Sequence, residues 1–486
     1  MSKEKINTLL IGVGYHSKRI YVPYLKESTL CNFVACLDLL SQKEKVDTFF
    51  EKQGISIATY YTDDNSISDE LSCRDTDLLN SVVRKFNIEA VVISTEPLSH
   101  FKYTKWALEN NLHVLLDKPI TTEIDVSTDT NKAEKLYQDY ERLADLYIEK
   151  TKKLNLVFNI QAQRRFHAGF QAVREKIVEM VKISHCPVTS IQTSHSDGQW
   201  TFPNEFIHQT YHPYNKGYGK VSHSGYHSLD IALWLAKASL ENDKQWDNFK
   251  LYSQFVRPSD VLGQFNREDY VRIFPHISNT DLQLDIEKDV AKITGEVDAF
   301  TNIALRRGEY VMTSIVCSIL HNSLSQRGWF DSVGRNLYKG NGRIRQESYI
   351  IEQGPFQSIV INSFQSQEIQ KKDLAPYSFG GEYHFDIYVF RNKNMFPDLL
   401  SYEFLNMQNL RPVEEKGYSR GHQEDARRNC VENFYKSIIN QIPTSEQKSN
   451  IIDHGLTTHI LSSIYNSAAK QYTGGSGVIQ EIIRHK

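Results

Sequence analysis

The chain has 486 residues, with 56 Lys plus Arg against 59 Asp plus Glu and a formal net charge of -3. That length exceeds what one compact core fills and points to two domains, the second enlarged. The near-neutral balance carries no electrostatic footprint for nucleic acid or a membrane surface, and six cysteines without a CxxC pair fit reduced thiols rather than disulfides or a thiolate zinc site. A polar start with few apolar residues, and no later run of 18, predicts a cytoplasmic protein without a signal or spanning segment.

Over 1–120 short apolar runs alternate with helical stretches, the rhythm of a parallel sheet wound with crossover helices. Strands are expected at 7–11, 32–37, 58–61, 90–94 and 112–116, and helices at 41–53, 76–86 and 98–110. The charged stretch 129–153 has the apolar spacing of one long surface helix and leads into a last strand at 156–160, so the domain boundary is placed near Ile160. Strand-like runs then follow at 188–193, 296–305, 310–318, 357–363 and 383–390, consistent with one mostly antiparallel sheet over 161–486. The middle, about 237–296, reads as an elaboration, and 424–440 and 451–470 close the chain as helices.

Directly after the first strand stands Gly12-Val13-Gly14-Tyr15-His16-Ser17, a GxGxxG pattern with Ser in the third place. Gly12 allows a tight turn and Gly14 a close backbone approach to a pyrophosphate on the helix N-terminus. Asp38, ending the second strand, can accept from the adenosine ribose hydroxyls, which favours NAD; Lys43 and Lys45 leave NADP open. The alternative for Asp38 is a cap on the next helix. After strand four comes Ser94-Thr95-Glu96-Pro97-Leu98-Ser99-His100, and after strand five Asp117-Lys118-Pro119. Both turns sit at carboxyl ends of strands, where α/β sheets bind ligands. Held extended before a proline, Lys118 can reach the crevice, and a partly desolvated lysine is suited to exchange a hydroxyl proton as hydride moves to or from a nicotinamide.

With these motifs in place, the chain resembles the glucose-fructose oxidoreductase and inositol dehydrogenase family (Gfo/Idh/MocA). Its marks are the glycine loop, a TPxxxH-like turn matched by 95–100, and an EKP signature matched by Asp117-Lys118-Pro119. Gln163-Arg164-Arg165-Phe166 is similar to the first strand-to-helix turn of the family's second domain, and 225–235 is similar to its GxHxxDxxxWL helix. Asn433-Phe434 and 464–468 are similar to its closing helices. The resemblance implies a Rossmann domain plus an α+β domain with an open sheet. It also implies hydride chemistry on sugars, polyols or nucleotide sugars, and homo-oligomers, dimers or tetramers, packed through that sheet.

By that resemblance Gly12, Gly14, Tyr15, His16, Asp38, Ser94, Thr95, Pro97, His100 and Lys118 contact the cofactor, and His227 is a second acid/base group facing Lys118. Helical spacing would let Asp230 orient His227. The family often places Asp four residues before this His; here His223 stands there, either hydrogen-bonding the substrate or marking a broken catalytic set. Losing that acid, together with Arg164 and Arg165, motivates the expectation that the sugar-type substrate carries a carboxylate or phosphate. Trp200, Tyr211 and Tyr214 could stack on a sugar face or simply pack. Six histidines lie from His185 to His227, including the pairs His208/His212 and His223/His227, but no acidic ligand accompanies either pair and no metal is expected. The polar run 321–329 reads either as a pocket wall or as an exposed hairpin turn. An NAD-dependent enzyme leads; the alternatives are a non-catalytic regulator of the same fold, or a lyase or isomerase using bound NAD transiently.

Overall fold

The computed structural model describes residues 5–63, 68–198, 200–209, 212–273, 287–325, 344–366, 374–410 and 421–484. Its first sheet holds β1 (Ile6–Ile11), β2 (Cys31–Leu39), β3 (Ala58–Thr62), β4 (Ala90–Ile93), β5 (His113–Leu116) and β6 (Phe158–Ile160), all parallel, in the order β3-β2-β1-β4-β5-β6. Helices cover both faces, which is why β4 can be the uninterrupted apolar run Ala-Val-Val-Ile, buried at every position. The strand order reverses between β1 and β4, and that reversal opens a crevice at their carboxyl ends.

The second sheet has nine strands: β7 (Ser190–Ser196), β8 (Asn248–Val256), β9 (Asp298–Arg307), β10 (Tyr310–Leu320), β11 (Ile344–Gln353), β12 (Gln357–Ser366), β13 (Asp386–Arg391), β14 (Tyr402–Asn406) and β15 (Ile479–Ile482). Their order is β14-β13-β12-β11-β7-β10-β9-β8-β15, antiparallel except for the β7/β10 pair. Helices Ala168–Ser184, Tyr226–Lys237 and Gly455–Tyr472 pack on one face and share its core with Ile191, Ile303, Ile315 and Ile361. The architecture is therefore α/β with a mostly antiparallel second sheet, as the sequence led one to expect.

Two local expectations need correction. The elaboration at 237–296 contains β8, a full member of the sheet, with Phe249, Leu251, Ser253 and Phe255 turned inward; residues 274–286 of it lie outside the described residues. The helix Thr130–Thr151 is not a surface helix: Leu136, Tyr137, Tyr140, Leu143 and Tyr147 are buried, and it packs along Gly455–Tyr472. After the glycine loop the helix is split, Tyr15–Arg19 and then Tyr21–Glu27, with Pro23 in the first turn of the second piece where its missing N–H costs nothing. The chain also returns to its beginning. Val431, Phe434, Tyr435 and Ile438 of helix His422–Ile439 complete the core beneath β1 and β4. Among the described residues no helix is long and apolar enough to cross a membrane.

Candidate active site

A cavity of about 580 Å³ opens at the carboxyl ends of β1 and β4 and runs toward the second sheet. Gly12 lies at its floor with φ +91°, and a Cβ there would stand 2.6 Å from the carbonyl oxygen of Ser94, so only glycine fits. At Gly14 an added Cβ would meet no atom within 4 Å, which leaves the loop backbone open to a ligand. Ser17 compensates for the absent third glycine: its buried hydroxyl donates to the Gly12 carbonyl at 2.6 Å and ties the helix to the loop. Asp38 is not a helix cap. Its carboxylate accepts from the Val13 and Leu39 amides, each at 2.7 Å, and lines the cavity. Lys43 turns away to Asp47 and the Tyr61 ring, and neither it nor Lys45 lines the cavity. These features fit an adenine dinucleotide with its pyrophosphate at Gly12 and Gly14 and its ribose at Asp38.

Tyr15, His16, Ser94, Thr95 and Pro97 line the same cavity, but His100 does not. Fully buried, His100 places Nδ1 2.7 Å from the Pro119 carbonyl and Nε2 3.2 Å from the Thr95 carbonyl. It staples the two turns together rather than touching cofactor. Asp117 tightens the same junction, accepting from the Lys118 amide at 2.9 Å and the Ser94 hydroxyl at 3.4 Å, with His16 Nε2 at 3.5 Å.

Lys118 is half-buried at the cavity wall, and its ammonium donates to the His223 carbonyl at 2.8 Å. Burial pushes its pKa down to about 8, opposed by Asp117 and assisted by Arg427, Arg164 and Lys220. His223 and His227 also line the cavity, His223 from a π-helical turn, Val221–Gly225, that runs into helix Tyr226–Lys237. Such wide turns recur at functional sites. Gly225 is required there, since a Cβ would stand 2.8 Å from Ile319 and 2.9 Å from the Lys220 carbonyl. Burial, with Lys118 and Arg164 nearby, holds His227 well below its usual pKa, and the Gln163 amide donates to its Nε2 at 3.0 Å, so the ring is neutral.

Asp230 does not orient His227. It takes both arms of Arg165, at 2.9 and 2.6 Å, plus the Thr457 hydroxyl at 3.0 Å and His454 at 3.2 Å. Arg165 is consequently a buried strut outside the cavity and not a substrate ligand. Arg164 does line the cavity, with its charge already matched by Glu347. Trp200 packs on Phe202, Phe265 and Tyr270, and Tyr214 on Phe206, so neither is a sugar platform; Tyr211 lies outside the described residues. His208 is exposed at a helix end while His212 is buried, so that pair shares no site. His212 instead meets Asp197 and His321, with ligand atoms within 4.8 Å of one another, but the ammonium of buried Lys220 already supplies Asp197 with its positive partner. Of the run 321–329, the described part 321–325 does not line the cavity, and His321 and Asn322 give their amides to Asp298; Gln326 to Trp329 lie outside the described residues.

Several lining residues escaped the sequence reading: Arg19, Asp197, Arg345, Gln423 and Arg427. Arg427 stands one turn after Glu424 in helix His422–Ile439, but nothing local marks that helix as facing a cavity at the far end of the chain's first sheet.

Comparison with known proteins supports the fold. Residues 6–146 match the family model described as an oxidoreductase family with an NAD-binding Rossmann fold, Gfo/Idh/MocA. No curated protein matches the chain. Among solved structures, an oxidoreductase from Agrobacterium radiobacter in complex with NAD+, L-tartaric acid and magnesium aligns at TM-score 0.58 and 13% identity, covering 98% of each chain. A levoglucosan dehydrogenase in complex with NADH and levoglucosan aligns at 0.58 and 14%, covering 99% of this chain and 100% of that one. A scyllo-inositol dehydrogenase from Lactobacillus casei aligns at 0.53 and 14%, covering 99% of each. At such identities the likeness is one of fold.

Proposed function

We propose that this chain, an NAD-binding oxidoreductase of the Gfo/Idh/MocA family, moves hydride between nicotinamide and a hydroxyl carbon of a sugar, sugar acid, polyol or nucleotide sugar. The observation that carries this is Lys118, a lysine with its pKa lowered to about 8, in one cavity with the glycine loop and His227. NAD, when bound, supplies the hydride acceptor or donor. Lys118 holds the substrate hydroxyl and takes its proton as the carbonyl forms; in the reverse direction it returns the proton to the nascent alkoxide. Neutral His227, steadied by Gln163, supplies a second hydrogen-bonding and proton-accepting group. His223 replaces an acid beside the substrate, and its carbonyl fixes the Lys118 ammonium.

The test is nicotinamide absorbance during addition of polyols, sugar acids and nucleotide sugars. Net NADH identifies a dehydrogenase, whereas product without net NADH identifies transient oxidation and re-reduction of one molecule. Lys118→Ala is expected to lower turnover by about 10²–10⁴-fold. If nucleotide binds and Lys118→Ala changes no rate on any substrate, the assignment of Lys118 fails.

A further inference from the structure

Arg19, Arg164, Arg345 and Arg427 reach the Lys118 cavity from four separate segments: a helix after the glycine loop, the turn Gln163–Phe166, β11, and helix His422–Ile439. Two carboxylates serve these four guanidiniums. Glu347 takes Arg164 with both oxygens, and Glu424 takes Arg427 at 2.6 Å and Arg19 at 3.0 Å. Among the described residues Arg345 donates to no carboxylate: it gives hydrogen bonds to the amide oxygens of Gln423 at 2.8 Å and Gln365 at 3.5 Å, with Glu347 acting on it only at longer range. Among the described residues the Nε groups of Arg19 and Arg427 are buried without a hydrogen-bond partner. Of the other charged groups at the wall, Asp197 pairs with Lys220 and Glu96 with Lys216, while Asp117 favours the ammonium of Lys118. Among the described residues these four guanidiniums therefore outnumber the carboxylates that hold them by two, with donors left over. Burial of unmatched charge is costly, and its excess is felt at Arg427, whose pKa burial pushes down to about 10, with Arg19, Arg345 and Arg164 adding repulsion. An incoming anion removes that penalty, and guanidinium forks match the two-oxygen edge of a carboxylate or phosphate.

We propose that the substrate of this chain carries a carboxylate or phosphate, seated on Arg345 and Arg427 while its hydroxyl carbon faces Lys118. The arginines that the sequence suggested are thereby replaced: Arg165 is a strut and Arg164 is spoken for. The placement of the hydroxyl rests on the hydride-transfer reading; the anion seat itself does not.

The test is calorimetric binding to NADH-loaded protein of two matched pairs, an aldonic acid against its alditol and a hexose phosphate against its parent hexose. At least one anion is expected to bind about tenfold tighter than its neutral partner, with a preference that shrinks as salt is raised; which arm shows it distinguishes carboxylate from phosphate. Arg345→Met should abolish the preference, and Gln423→Glu, a milder change at a half-buried site, should shrink it by giving Arg345 a carboxylate. Equal binding of both members of each pair would overturn the proposal, as would an Arg345→Met protein that loses NADH affinity instead. A retained anion preference without hydride transfer would sink the oxidoreductase reading and leave the anion seat standing.

Discussion

Two influences act on Lys118. Burial favours its neutral amine and Asp117 favours the ammonium, and the balance leaves the pKa near 8. Alcohol oxidation should accordingly accelerate as pH rises through about 8, where the base form appears, and carbonyl reduction should slow over the same interval. Steady-state rates in both directions check this, and a Lys118→Ala protein should lose that limb. A limb unchanged in the variant would assign it to another group. Gly12, Asp38 and Lys118 were readable because each sits at a strand end where the backbone dictates its place. His100 and Arg165 were misread for one physical reason: a motif marks residues that must stay, without separating those that touch ligand from those that hold the wall. Arg345 was invisible because its role depends on β11 lying beside a helix distant in sequence.

At the scale of elements, the Arg165–Asp230 pair joins the turn Gln163–Phe166 to helix Tyr226–Lys237 and, through Thr457 and His454, to the closing helix. Arg165→Leu leaves a buried carboxylate without its cation and should cost about 3–5 kcal/mol in denaturant unfolding; a change below about 0.5 kcal/mol would deny the strut. Glu296 lies under the π-helical turn, accepting from the Val221 amide and the Tyr465 hydroxyl, each at 2.8 Å, and burial pushes its pKa up to about 7 from 4.5. Stability from its protonated form is full below pH 4.5 and lost as pH rises through 7. The stability of Glu296→Gln relative to the parent should therefore climb between those values and then level; a constant offset would contradict it. The parallel strands were legible from short apolar runs, unbroken in β4, each followed by a turn or helix. β8 was not, because Tyr252 on its exposed face and Ser253 on its buried face blur a period of two that the burial pattern makes plain.

At the scale of the molecule, the face of the second sheet away from its helices is apolar and exposed, with Phe300, Val316, Ile350, Phe390 and Phe404 across five strands. A face of that kind calls for cover. We propose that it joins copies of this chain, and sedimentation should show a dimer or larger that Val316→Asp reduces to monomer; a parent that is already monomeric at micromolar concentration would refute this. A division near Ile160 into cofactor and substrate domains belongs to the same proposal, with helix His422–Ile439 crossing back to seal the first core. That return places Gln423 and Arg427 beside the cofactor's cavity, and no local pattern foretold it. The most direct measurement for the whole account is isotopic: protein, NAD and a panel of carbon-deuterated polyols and sugar acids, with mass spectrometry of the nicotinamide. Deuterium should reach NADH in the parent protein and fail to do so in a Lys118→Ala variant that still binds NADH; equal transfer in both, or none in a parent that binds both ligands, would contradict it.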